Sequence, residues 1–241
     1  MTKLKKISLP EIFLVNTQLP ENLGAVTRAM QNFNFRKLSL ISPEFSLDHE
    51  KIRPVSAGAD LVLNNIKIFD DFDSAIKKIN ILVGTSNRNR SIKQKEIDFN
   101  ELIKLLYNTE TKIGIVFGPE RSGLDNNHIA LCDYVLKIKT SNNFSSINLS
   151  HAVIIVCYEI SKYINEENPE KKSNNAAKKE DLLNFLVLLE EDLEAKKFFL
   201  VQERKKIMVQ KIRNIFNKLE LSSDDIKILI GIFKALKKTN K

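Results

Sequence analysis

Residues 112–124 read KIGIVFGPERSGL, a near-continuous run of Ile, Val and Phe that breaks at Gly118 into a glycine-flanked polar loop. An apolar run without alternation suits a strand buried on both faces, as in a parallel sheet covered by helices. A loop that follows such a strand directly lies where open α/β sheets hold their ligands, just outside the carboxyl ends of the strands. Gly118 and Gly123 satisfy the GxxxxG half of a phosphate-binding P-loop, but Leu124 and Asp125 stand where that loop needs Lys and Ser or Thr. The phosphate-gripping lysine is therefore missing. No GxGxxG occurs, so the dinucleotide fingerprint is absent too. What remains is Glu120 and Arg121 held at a strand end for some other ligand.

The same rhythm extends in both directions. Strands are expected at 12–16 (IFLVN), 37–41 (KLSLI), 66–69 (IKIF), 79–84 (INILVG), 112–117 and 134–139 (YVLKIK). Between them, Ala25, Val26, Ala29, Met30 and Phe33 repeat at helical spacing after a start at Gly24. Asp71 or Asp73 can cap a helix carrying Ala75, Ile76 and Ile79, and 99–106 reads as another. The expectation is an α/β fold: a mainly parallel sheet with helices on both faces. The stretch 148–163 is apolar nearly all round, so that helix is deeply buried or lies at a subunit interface.

The chain has 241 residues, 43% hydrophobic and 28% charged, which fits a globular protein and not a disordered one. No window of about 18 apolar residues exists to span a membrane, and the apolar run at 12–15 is too short for a signal peptide. A cytoplasmic protein without membrane attachment is expected. Cys132 and Cys157 lack CxxC spacing, and His49, His128 and His151 are scattered, so no disulfide framework and no metal is expected. A net charge of +8 is compatible with nucleic acid.

Composition shifts at 165–180 (NEENPEKKSNNAAKKE), which reads as a linker between a domain at 1–164 and a helical extension at 181–241. Helices are expected there at 182–193, 204–218 and 223–237. Lys196, Lys197, Arg204, Lys205, Lys206, Lys211 and Arg213 face a single nearby acid, Glu203, as a nucleic-acid contact or a solvated helix face would.

Three further segments concentrate polar groups at element junctions. NTQLPENLGAVTR (16–28) places a turn before a helix, where free N–H groups can hold an anion beside Gly24 and Arg28. GTSNRNR (84–90) follows a strand with hydroxyls at Thr85 and Ser86 and cations at Arg88 and Arg90. NFSSINLS (143–150) sets three serines and two asparagines before an apolar helix, more than one N-cap at Ser146 or Asn148 requires. The first two segments alone are equally capped polar loops; the third carries more polar groups than a capped loop needs.

Taken in order, NTQLPENLGAVTRAM, GIVFGPERSGL and FSSINLSHAV resemble the three motifs of the SpoU/TrmH branch of the SPOUT RNA 2′-O-methyltransferases. Within that branch the chain is most similar to the TrmJ type, a likeness that continues through MVQKIRNIF in the tail. The resemblance implies a C-terminal trefoil knot in the α/β domain and S-adenosylmethionine (AdoMet) as cofactor, with S-adenosylhomocysteine as product. It implies a homodimer that methylates a pyrimidine ribose at the first position of a tRNA anticodon loop. Thr85, Ser86, Asn87, Gly118, Ile138, Ser145, Ser146 and Ile147 are the implied AdoMet positions, with a bulky residue at Gly118 expected to fill the ligand's space. Arg28 and Asn22 are the implied catalytic pair, and Glu120, Ser146 and Asn148 orient the arginine or the ribose. Arg28, Arg88, Arg90, Lys205, Lys206, Lys211 and Arg213 are candidate RNA contacts. His151 departs from the small or apolar residue expected there. A ribosomal RNA substrate, or a non-catalytic RNA-binding module, are the alternatives.

Overall fold

The computed structural model describes residues 7–88, 94–141, 143–164 and 177–238. Seven strands form one parallel sheet: β1 (Glu11–Val15), β2 (Leu38–Ile41), β3 (Lys67–Phe69), β4 (Ile81–Thr85), β5 (Lys95–Ile97), β6 (Ile113–Phe117) and β7 (Tyr134–Leu136). Their spatial order is β3-β2-β1-β6-β4-β7-β5, and every pairing is parallel. β6 is inserted between β1 and β4, and β7 between β4 and β5. The chain thus returns twice between strands laid down earlier, in the region where the family resemblance puts the knot.

Alternation along each strand sends side chains to two apolar layers. Ile12, Leu14, Ile81, Val83, Ile113, Ile115 and Phe117 enter one layer. There they meet α1 (Pro20–Asn32), α5 (Phe99–Leu106) and α7 (Leu149–Ser161), with Ile52 of α2 (Ile52–Ser56) and Val62 of α3 (Asp60–Leu63) beside them. Phe13, Val15, Leu82, Val116 and Val135 enter the other, against α4 (Phe72–Ile76), α6 (Asn126–Leu131) and α8 (Lys179–Ala195). Helices therefore cover both faces of the sheet, as the unalternated strands require.

Details depart from the sequence reading for physical reasons. Helix α1 begins at Pro20, whose fixed φ suits the first turn, and Gly24 lies inside it. A Cβ at Gly24 would stand 2.5 Å from the Ile52 carbonyl oxygen, so this glycine lets α1 pack tightly on α2. Asp71 caps α4 by accepting from the Ser74 amide at 2.7 Å, and Asp73 does not. Strand β5, at the sheet edge, buries only Ile97, which is why no apolar run announced it. Helix α7 is apolar all round in sequence, yet it buries one face and turns Ile154 and Tyr158 outward.

The basic tail completes the second layer. Leu182, Leu183, Phe185, Leu186 and Leu189 of α8 are buried in the same cluster as the sheet residues, with α9 (Gln202–Asn217) and α10 (Ser223–Lys238) packed outside. Of the linker at 165–180, residues 165–176 lie outside the described residues. Ala177 is already buried and donates its amide to the Leu221 carbonyl at 2.9 Å. Lys179 meets Asp133 in a buried ion pair at 2.6 Å and donates to Asn217 Oδ1 at 2.6 Å. Asp133 also accepts from the Leu82 amide at 2.7 Å, which ties the start of α8 and the end of α9 to β4 and β7. Burial drives the Asp133 carboxyl above its ordinary value, opposed by the Lys179 ammonium and the Leu82 amide. No described helix is long and apolar enough to cross a membrane.

Candidate active site

Strands β6, β4 and β7 are neighbours, and their carboxyl ends deliver three loops to one place. Thr85 ends β4, Gly118 follows β6, and Ile138 lies just beyond β7. A cleft of about 340 Å³ opens there, within the range of small-molecule sites. All eight expected cofactor positions line it: Thr85, Ser86, Asn87, Gly118, Ile138, Ser145, Ser146 and Ile147. Phe117, Leu136, Leu149 and Ala152 give it apolar walls. Sequence reasoning assigned none of these four to the site, because strand ends and a helix start read as core.

Hydrogen bonds fix the cleft from outside. The Thr85 hydroxyl donates to the Val116 carbonyl at 2.9 Å, locking β4 to β6 at their ends. The Asn87 amide donates to Thr140 Oγ1 at 2.7 Å and to the Ser145 carbonyl at 3.4 Å, bracing the 140–148 loop across the cleft. Gly118 sets the opposite wall. A Cβ there would fall 2.1 Å from the Leu124 amide nitrogen and 2.2 Å from the Gly123 carbonyl carbon. The expectation that a side chain at Gly118 would fill the ligand's space is thereby corrected: it would strike the backbone of its own loop first.

Above the cleft, the three motifs are joined by a polar relay. Asn148 Nδ2 donates to Asn22 Oδ1 at 3.0 Å, and Asn22 Nδ2 donates to Glu120 Oε1 at 2.7 Å. Asn148 Oδ1 accepts from the Ser150 hydroxyl at 2.7 Å and the Ser150 amide at 2.9 Å, capping α7. The donors all point towards the carboxylate, and reversing either amide would set oxygen against oxygen; this polarity fixes both side chains. Glu120 accepts in addition from the backbone amides of Gln18 at 3.0 Å and Leu19 at 3.3 Å. Leu19 is the N-cap of α1 and has no side-chain oxygen, and Glu120, from a hundred residues away, sets its negative charge beside this helix start. The carboxylate that meets the chain before this helix is therefore an internal one.

The remaining candidates fall in different places. Arg28 is exposed on α1, does not line the cleft, and engages no described residue in a hydrogen bond or ion pair. The structure thus joins Asn22, Glu120 and Asn148 but leaves Arg28 outside their relay. Ser146 is exposed on the cleft wall. Arg88 lines the rim and donates to the Arg121 carbonyl at 3.5 Å, and Arg121 lines the same rim. Sequence reasoning quoted Arg121 without a role. Arg90 lies outside the described residues. In the tail, Lys206 and Lys211 are exposed, whereas Lys205 pairs with Glu194 at 2.9 Å. Arg213 is gripped by Glu190 through two bonds of 2.8 and 3.1 Å, so its guanidinium serves α8–α9 packing and is not a free RNA contact. His151 is exposed, and its backbone amide donates to Asn148 Oδ1 at 3.4 Å. Among the described residues, no group of His, Cys, Asp or Glu could hold a metal ion.

Residues 10–158 match the model of the SpoU rRNA Methylase family. An Escherichia coli K12 protein described as tRNA (cytidine/uridine-2′-O-)-methyltransferase TrmJ is 32% identical over 237 residues, covering 95% of this chain and 96% of its own. A Haemophilus influenzae protein described as an uncharacterized tRNA/rRNA methyltransferase is 31% identical, with 94% of each chain covered. The crystal structure of TrmJ from Z. mobilis superposes with a TM-score of 0.86 at 30% identity, covering 95% of this chain and all of that one.

Proposed function

The chain belongs to the SpoU rRNA methylase family, and on that premise we propose that it is an AdoMet-dependent tRNA methyltransferase acting on a pyrimidine ribose 2′-hydroxyl in the anticodon loop. The observation that carries this reading is the Asn148–Asn22–Glu120 relay, which assembles the three motif segments at the mouth of one cleft. The family name concerns ribosomal RNA. The tRNA reading is favoured because the likeness to TrmJ runs through the tail as well as the α/β domain. With a tRNA substrate, the expected compartment is the cytoplasm.

The cleft fits AdoMet by its chemistry. Apolar walls at Leu136, Ile138 and Ile147 suit an adenine face, and a glycine that tolerates no Cβ keeps the loop backbone at the wall. When bound, AdoMet supplies an electrophilic methyl group on a sulfonium. The protein's part is positional and electrostatic. Asn148 and Asn22, held by the relay, fix the loop that presents Ser145 and Ser146. Arg28 offers a planar guanidinium cation with five donors. Its role here is to hold a backbone phosphate and stabilise negative charge as it develops on the attacking oxygen. Because Arg28 is free of intramolecular partners among the described residues, it keeps all its donors for RNA.

Arg88 and Arg121 offer further phosphate contacts at the rim, and Lys206 and Lys211 extend them onto the tail. A homodimer through α7 gives a partner to the outward Ile154 and Tyr158. Nucleoside mass spectrometry of unmodified tRNA, incubated with the protein and AdoMet, tests the proposal. One 2′-O-methylpyrimidine is expected; methylation of ribosomal RNA alone, or of neither, would reject it.

A further inference from the structure

Phe144 is 77% exposed, more than any other described aromatic side chain. A single exposed apolar residue needs no explanation in general. Its position does, because Ser145 and Ser146, the next two residues, line the cofactor cleft, and Asn148 in the relay follows. Nor is the loop a loose tip that happens to carry an aromatic. The Phe144 amide donates to the Ser141 carbonyl at 3.2 Å, and the Asn143 amide donates to Ser141 Oγ at 3.3 Å. The Asn87 bonds to Thr140 and to the Ser145 carbonyl clamp both ends of this turn to β4's loop. The ring is thus exposed to solvent one residue from the cleft wall, on a backbone held on both sides.

We infer that Phe144 is a substrate-binding residue: its ring stacks on the base of the nucleotide whose ribose is methylated. This inference rests on the tRNA-loop reading above. A ribose can approach the cleft only if its nucleotide leaves the helical stack, and splayed bases in RNA loops are held by stacking on aromatic side chains. Stacking is tolerant of base identity because every base has a π-face. Phe144 accordingly secures the nucleotide without choosing between cytosine and uracil. Arg88 and Arg121, also at the rim, are left to take the phosphates.

The chain contains no tryptophan, so Phe144→Trp installs a single indole at this position. Titration of the full-length variant with an anticodon stem-loop RNA should quench its fluorescence, and an abasic site at the target nucleotide should remove most of that quenching. In steady-state assays Phe144→Ala should raise KM for tRNA about 5- to 100-fold, the range that base–aromatic stacking supports. AdoMet affinity should stay within about twofold. Phe144→Tyr should restore KM, and Phe144→Leu should not, since bulk without a ring cannot stack. Unquenched fluorescence at saturating RNA, or rescue by Leu equal to that by Tyr, overturns the inference while the parent's methylation of tRNA leaves the proposed function standing. A fall in molecular mass for Phe144→Ala also overturns it, because a second copy would then be what covers the ring. A parent protein that leaves tRNA unmethylated rejects both.

Discussion

Replacing Gly118 with alanine adds one methyl group to the wall of the cofactor cleft, and the structure sets its cost. The new Cβ would lie 2.1 Å from the Leu124 nitrogen, 2.2 Å from the Gly123 carbonyl carbon and 2.8 Å from Gly123 Cα. Ordinary contact begins at 3.4 Å, so loop and strand must separate by more than 1 Å. The loop resists, because the Gly123 amide donates to the Pro119 carbonyl at 2.8 Å and Gly123 is already committed to φ +64°. Overpacking of this kind costs about 1–3 kcal/mol, and the lost turn bond about 1 kcal/mol more. If that strain is relieved by withdrawing the 118–124 wall, AdoMet affinity should fall about 30- to 1000-fold, at tenfold per 1.4 kcal/mol. Calorimetric titration of the full-length variant with AdoMet reads this directly, with circular dichroism to confirm the fold. Gly231→Ala is the control, since nothing lies within 4 Å of its Cβ. Parental AdoMet affinity in Gly118→Ala would show that this loop does not bound the cofactor site.

Three other outcomes are expected. Arg28→Ala should abolish methyl transfer while leaving AdoMet affinity within about twofold, and Arg28→Lys should recover little, because an ammonium lacks the planar bidentate fork; loss of AdoMet binding in either would reject the assigned role. Lys206→Ala with Lys211→Ala should weaken tRNA binding and reduce its salt dependence by up to about two phosphate contacts, whereas Arg213→Ala should chiefly lower the melting temperature by freeing Glu190. An unchanged salt slope in the double variant would remove the tail from the RNA surface. Lys179→Met leaves Asp133 buried without its cation, a change that costs about 3–5 kcal/mol and should lower the melting temperature by roughly 6–20 °C. Pairing it with Asp133→Asn should return part of the loss, and a single variant as stable as the parent would contradict the clasp.

The sheet was legible because its strands are buried on both faces and therefore read as unbroken apolar runs. β6 and the six-residue run around β4 announce themselves; β5, with one buried residue between charged ones, does not. The cofactor positions were legible only through the family resemblance, since Thr85 and Ser145 are ordinary loop residues by local pattern. The members of the relay were named by the resemblance, but their bonds to one another were not legible. The partners lie 98 and 126 residues apart, and nothing in the segment around Leu19 hints that Glu120 bonds the backbone there. The same blindness made Arg213 look free, because its acid, Glu190, comes from another helix. Reading 165–180 as a boundary was natural from its composition. It concealed that the helix beginning at Lys179 supplies part of the core beneath the sheet, with Phe185 and Leu186 buried there.

The central claim is that one ribose hydroxyl in a tRNA loop receives the methyl group at the cleft the three motifs assemble. An anticodon stem-loop with a single 2′-deoxy substitution at the first loop pyrimidine addresses it most directly, assayed for methyl incorporation from labelled AdoMet beside the all-ribose parent. The account predicts one methyl per parent stem-loop and none in the deoxy version, while binding of the two differs by less than about threefold. Equal methylation of both would place the methyl group on another atom and contradict the account.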